Sequence, residues 1–461
     1  MRIDLPPALQ DAQALLRLLG AAVSAECLPP IRGIATDSRE VRSGDLFVAL
    51  DGVHTSGECF LHKAHQAGAV AALVKGEIAS TELPLLCVED PVAALLRAAG
   101  EYRARSDAFV VAVSGSMGKT TVKEALAAVL REDGTVEWSK GNFNSQIGMP
   151  LSLLSMREAK YWVLEIGINH VGEMEALACA AAPDLAILTN VGTAHIGNFG
   201  SFDAVLREKA RIAVALQENG YLLIPSALPT EVFPCPRHAI WRMGEGGEYR
   251  LENIRYSECG TVGDLITPDQ VITNLVWPIA GGAGAATLET VGAAALLAGL
   301  DEQKIRSGLL AAGRRTPRLA RIEAGGRLLI DDCYNASPEA MLVALENLGL
   351  ISGGRPTVAV LGDMLELGKY SDMLHRSVGR GVARSGISQL FTYGRAAMGI
   401  VEGARAAGLD DKAIHAFDVG EDEALINALC RMLPKDAAVL FKASGGMHLC
   451  RVLHEVRRRL R

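Results

Sequence analysis

Eight consecutive residues, Ser114-Gly115-Ser116-Met117-Gly118-Lys119-Thr120-Thr121, have the types and spacing to hold a polyphosphate. Glycines let backbone amides turn toward an anion. A lysine supplies a point charge for a β- or γ-phosphate, and a threonine hydroxyl can reach a divalent cation. The strict form of this loop has a glycine five residues before Gly118, where this chain has Val113, so the loop is a shortened one. A plain glycine turn with an exposed lysine would use the same residues, but the flanks favour phosphate. Residues 108–113 are a short apolar run that predicts a buried strand, and 122–130 are rich in strong helix formers. The predicted helix begins on the glycine turn, where its dipole favours negative charge.

Three more side chains are expected at the same edge. Residues 161–165 and 185–189 read as apolar strands; the first ends in Glu165 and the second runs into Asn190-Val-Gly-Thr-Ala-His195. Open parallel sheets place ligands at the carboxyl ends of their strands, which puts Glu165 and His195 beside the phosphate loop. Lys209, in Glu208-Lys-Ala-Arg211, joins them. Glutamate and histidine suit Mg²⁺ or Mn²⁺. Each residue alone has an ordinary role: His195 in a turn, Glu165 as the acid of the helix after Gly172, Lys209 on a solvated helix face. Their joint placement favours a site. Asn142 to Pro150 is dense in side-chain amides and reads either as a capped turn or as a face toward the anion. Thr36-Asp37-Ser38-Arg39 reads equally as a polar turn or as the edge of a nucleotide or pyrophosphate site.

The elements that carry these residues divide the chain. At 461 residues it exceeds one ordinary core. Residues 1–103 read as a small α/β domain. Residues 104–313 repeat a βα pattern around the phosphate loop, with a β-rich insertion near 264–276. Residues 314–461 read as a third α/β domain after a Gly313–Arg318 linker. Apolar residues make up 49% and aromatics 5%, which suits close packing of helices on sheets. A net charge of −7 gives no support to nucleic-acid binding. Nine cysteines without a C-x-x-C pair read as reduced thiols in a cytoplasmic protein. The apolar stretch 279–300 is Ala/Gly-rich and carries Glu289, so it reads as a buried helix and not as membrane insertion.

Gly-Ser-Met-Gly-Lys-Thr-Thr-Val-Lys, then Gly141-Asn-Phe-Asn-Ser-Gln-Ile-Gly-Met-Pro150, then Glu165-Ile-Gly-Ile-Asn-His-Val-Gly-Glu173 resemble the Mur ligases. Asp332-Cys-Tyr-Asn-Ala336 and Val360 to Gly368 extend the resemblance, as do Thr36-Asp-Ser-Arg39 and Gly44-Asp-Leu-Phe-Val48. The wording is nearest to the branch that joins D-alanyl-D-alanine to UDP-N-acetylmuramoyl-tripeptide. The resemblance implies an α/β protein of three domains. A central P-loop parallel sheet would be flanked by a smaller UDP-binding domain and a Rossmann-like C-terminal domain. Gly115, Ser116, Met117, Gly118, Lys119, Thr120 and Thr121 would cradle ATP, with Asp332 and Asn335 facing the nucleotide. Thr120 and Glu165 would hold one Mg²⁺; His195 and a carbamylated Lys209 would hold a second. Arg318 would meet the γ-phosphate. Thr36, Ser38 and Arg39, with Asn144, Ser145 and Gln146, would contact substrate. A cytoplasmic monomer is implied, with an acyl-phosphate route to the amide.

The resemblance has three departures. Ala285-Ala286 stands where the family has the His-Asn pair that reads adenine, Ser56-Gly57-Glu58 replaces Asp-Gly-His, and Ser444-Gly-Gly-Met-His448 replaces a Ser-Arg stretch. A sister ligase, a folylpolyglutamate synthase-like ligase and a nucleotide-binding regulatory protein without turnover are the alternatives. Intact Lys119, Glu165, His195 and Lys209 weigh against the last of these.

Overall fold

The computed structural model describes residues 1–23, 28–52, 55–76, 82–257, 260–313 and 320–461. Arg318 and most of the expected linker lie outside them.

Apolar runs covered by helices on both faces produce the central sheet. Its strands run Ile240–Met243, Tyr221–Pro225, Leu185–Leu188, Phe109–Ser114, Tyr161–Glu165, Val136–Trp138, parallel throughout. Val110 to Val113 are fully buried. Register then does the positioning. Ser114 lies beside Leu188, and Val113 beside Glu165, so three strands end level and their following loops share one edge.

Two other sheets flank this one. In the first, Gly33–Ala35, Asp45–Val48, Ala71–Lys75 and Leu85–Val88 run parallel between antiparallel edge strands Arg2–Asp4 and Ala22–Val23. Its last helix, Pro91–Arg103, is capped by Asp90. Buried Arg103 pins that helix to the central unit, donating to the Ala181 and Ala182 carbonyls at 3.2 and 3.1 Å and to Asp184 at 2.9 Å. In the second, Arg327–Asp331, Ala438–Lys442, Thr357–Gly362, Gln389–Tyr393 and Ile414–Phe417 run parallel behind an antiparallel Ala320–Ala324.

The β-rich insertion is larger than the sequence suggests. It is an antiparallel meander of Arg250–Ser257, Gly260–Ile266 and Val271–Trp277. Its first strand is largely exposed, so it lacks the apolar alternation that marks a half-buried strand. The 279–300 stretch forms the helix Gly282–Leu297. Among the described residues no helix is long and apolar enough to cross a membrane.

Candidate active site

A cleft of about 770 Å³ opens at the level edge of the central sheet. From the central unit it is lined by Gly115 to Thr120, Asn142, Asn144, Ser145, Glu165, His195 and Lys209. The third unit closes the opposite side with residues 331–337, Lys442, Gly445 and Cys450. The four groups singled out for joint placement (Lys119 with Thr120, Glu165, His195, Lys209) thus share one cavity.

The phosphate loop is held from behind. Gly115 has φ +145°, and a Cβ there would come within 2.0 Å of the Thr189 hydroxyl, so only glycine fits. Asn190 accepts the Ser116 amide on its carbonyl at 3.1 Å and the Met117 amide on its side-chain oxygen at 2.9 Å. Those two amides are therefore engaged within the protein. Beyond them begins the helix Lys119–Leu130, whose first-turn amides no intrahelical carbonyl can reach. Lys119 folds back, its Nζ donating to the Gly115 carbonyl at 2.7 Å. Thr121 does not line the cleft and is buried behind the loop.

Glu165 is 2% exposed. One carboxylate oxygen accepts from Asn144 Nδ2 at 2.7 Å; the other has no hydrogen-bond partner and stands 3.6 Å from Lys123 Nζ. A buried carboxylate oxygen left open beside a cleft fits a divalent cation. Glu165 does not cap the next helix: Gly172 is the cap, and Glu173 and Glu175 are the first-turn acids. Among the described residues no three His, Cys, Asp or Glu side chains converge as a metal site, so a cation here also needs oxygen donors of other types. Thr120 lies in the same cleft to supply one.

Lys209 sits in the helix Phe202–Ala210 and is 3% exposed. Burial, reinforced by the charge of Lys119 and opposed by Glu208, pushes its amine down to about 7. Glu208 itself accepts the Met174 amide at 2.9 Å. Burial, with Lys119 and Lys209 nearby, also lowers His195, although Glu366 pulls the other way. Across the cleft Asp332 pairs with buried Lys442 at 2.6 Å, and Lys442 also donates to the Asn335 carbonyl at 2.9 Å.

Of the expected substrate contacts, Asn144 and Ser145 line the cleft and Gln146 does not. Thr36, Ser38 and Arg39 lie on the first sheet's unit, outside the cleft lining. There Asp37 binds the Arg39 guanidinium at 2.6 Å, which holds its carboxyl well below the usual range. Ala286 is exposed and lies outside the lining, as does Ala285, so neither supplies an adenine contact in this cleft.

Three regions match described family domains: residues 30–94 the Mur ligase family catalytic domain, 113–294 the Mur ligase middle domain, and 317–445 the Mur ligase glutamate ligase domain. The UDP-N-acetylmuramoyl-tripeptide–D-alanyl-D-alanine ligase of Bacillus subtilis is 32% identical, over 92% of this chain and 93% of the relative. The chain belongs to the Mur ligase family. A MurF crystal structure from Acinetobacter baumannii superposes with a TM-score of 0.87 at 30% identity, over 99% of this chain and all of that one. A MurF ligase structure from Thermotoga maritima, in complex with ADP, superposes at 0.79 and 28% identity, over 93% and 97% of the two chains.

Sequence reasoning left out Lys123, Asn190, Glu339, Glu366 and Lys442. Lys123 falls within the loop motif, Asn190 within the 190–195 run and Glu366 within Val360–Gly368, but only the fold shows that they face this edge.

Proposed function

We propose that this protein is an ATP-dependent ligase that joins D-alanyl-D-alanine to UDP-N-acetylmuramoyl-tripeptide in peptidoglycan precursor synthesis. It would act as a cytoplasmic monomer, with units 1–103 for the UDP end, 104–313 for ATP and 314–461 for closure and the dipeptide. The observation that carries this reading is the single cleft in which Lys119, Glu165, His195 and Lys209 face Asp332 and Asn335. The relatives' names supply the substrates.

A carboxylate resists attack by an amine, so ATP first converts it to an acyl phosphate, and the dipeptide amine then displaces phosphate. Lys119 and the first-turn amides of its helix hold the polyphosphate. Mg²⁺, on Thr120 with Glu165 and on His195 with carbamylated Lys209, would offset charge on the transferring phosphoryl group. Lys209 earns its place through its depressed pKa. Near neutral pH much of it is an unprotonated amine. Its nitrogen attacks CO₂, an N–C bond forms, and a proton leaves to solvent. The product is an anionic oxygen ligand where an ammonium would repel a cation. Arg318 would meet the γ-phosphate, and Thr36, Ser38, Arg39, Asn144, Ser145 and Gln146 would contact the UDP-peptide.

Phosphate release by the purified protein should require ATP, Mg²⁺, UDP-N-acetylmuramoyl-tripeptide and D-alanyl-D-alanine together. No release with all four present would defeat this reading. A dependence on a different amine would reassign the substrate.

A further inference from the structure

Two residues meet across the boundary between the central and third units in backbone conformations that their side chains seldom adopt. His195 has φ +60° and Glu366 φ +65°, the left-handed region that non-glycine residues enter at a cost. At their meeting point His195 Nδ1 bonds a Glu366 carboxylate oxygen. A carboxylate only accepts, so the imidazole proton sits on Nδ1 and the remaining nitrogen, Nε2, is the one free to bind a cation.

Glu366 is presented by a stiff arm. The Met364 amide donates to His375 Nε2 at 3.0 Å, the Leu365 amide to the Ser444 hydroxyl at 2.9 Å, and the Ala397 amide to Asp363 at 2.7 Å. The arm fits closely onto the His195 loop. The Gly197 amide donates to the Glu366 carbonyl at 3.0 Å. A Cβ on Gly197 would lie 2.7 Å from both that carbonyl oxygen and the Gly368 nitrogen, so the approach requires glycine. Glu339 grips the same loop, taking the Thr193 amide and hydroxyl at 2.8 and 2.9 Å.

We infer that Glu366 is a positioning residue that fixes the tautomer and ring orientation of His195, so that docking of the third unit completes the cation site on the central one. This rests on the reading of His195 as a cation ligand. Metal-bound histidines commonly give their other ring N–H to a carboxylate, and losing that partner typically weakens the metal ten- to a hundredfold. Here the carboxylate arrives from another unit. The second cation would therefore bind well only when the units are docked, which ties phosphoryl-transfer competence to closure.

Mn²⁺ binding in the presence of a non-hydrolysable ATP analogue, followed by electron paramagnetic resonance, tests this without turnover. Glu366→Ala should weaken the weaker Mn²⁺ site at least tenfold. Glu366→Gln, which keeps an acceptor oxygen, should recover most of that loss. Tyr370→Phe removes another contact between the units, the Tyr370 hydroxyl on the Gly200 carbonyl at 2.8 Å; it should leave Mn²⁺ affinity within twofold. ¹⁵N spectra of histidine-labelled protein should show the Nδ1–H tautomer for His195 in the native chain and a tautomer mixture in Glu366→Ala. Mn²⁺ affinity unchanged in Glu366→Ala, or lost equally in Tyr370→Phe, would overturn the inference. His195→Ala separates the two readings. If it keeps both Mn²⁺ sites, the ligand role of His195 fails. If it loses one while Glu366→Ala loses none, only the role of Glu366 fails.

Discussion

Two lysines are buried at this edge of the central sheet, and they are buried differently. Lys123 is fully enclosed, one helical turn after Lys119, and is saturated with oxygen. Its Nζ donates to the Ser139 carbonyl at 2.7 Å and the Gly141 carbonyl at 3.3 Å, and it pairs with Glu124 at 3.0 Å and Glu165 at 3.6 Å. Lys209 is nearly as enclosed, yet among the described residues it forms no ion pair, and the acid beside it is committed to the Met174 amide. The contrast shows how one residue type serves two ends. A buried ammonium with four oxygens is a fastener: it ties the Ser139–Gly141 turn to the helix and balances Glu165. A buried ammonium facing another cation is destabilised, and the amine it becomes is a nucleophile.

Replacing the second lysine should have the largest effect on function and the opposite effect on stability. Lys209→Met should lower phosphate release by more than about a thousandfold if Lys209 carries the proposed carbamate ligand. Its unfolding midpoint in urea should hold or rise, because the variant no longer buries an unpaired charge. A lowered midpoint would contradict the reading of Lys209 as an uncompensated group. Lys123→Met should do the reverse to the fold. It leaves Glu165 and its neighbour without their cation, at a cost of about 3–5 kcal/mol, readable in the first urea transition.

The pH dependence sharpens the same contrast. The folded Lys209 amine titrates at about 7, against 10.5 for the ordinary group. As pH falls from 10.5 toward 7, the unfolded chain takes up a proton that the folded chain does not. Stability is thus lost over that window on acidification and is insensitive to this group below pH 7. Calorimetric midpoints compared between wild type and Lys209→Met should converge as pH rises from 7 to 10.

A smaller effect is expected at Glu339. Thr193 hangs on it, and the adjacent Gly192 amide donates to the Ser116 hydroxyl at 2.8 Å, so the third unit reaches the phosphate loop through three residues. Glu339→Gln removes the charge from both Thr193 hydrogen bonds, which should cost about 1–2 kcal/mol and speed hydrogen exchange at residues 192–193, leaving the helix Lys119–Leu130 unchanged. Unaltered exchange would show that the loop is held from the central side alone.

Much of this edge was legible in the chain. Apolar runs ending in Glu165 and in the 190–195 loop, together with a glycine turn before a helix, place three chemistries at strand ends by topology alone. The family resemblance supplied the substrates. Register was not legible, because which strands end level depends on how they pair. The partners of the candidate residues were hidden for a related reason. Glu366, Glu339 and Lys442 lie more than a hundred residues from what they hold, and no local pattern encodes such a meeting. Lys123 reads as one more polar residue in a helix, although the helix buries it completely. Within Thr36 to Arg39 the sequence does not show that the acid and the guanidinium pair with each other, which only the folded turn reveals.

The account turns on Lys209 being the reactive amine of the pair. ¹³C spectra of the protein in labelled bicarbonate should show one carbamate resonance above about pH 7, absent from Lys209→Met and retained in Lys123→Met. No carbamate at any pH from 6 to 9, or a resonance that survives in Lys209→Met, would contradict it.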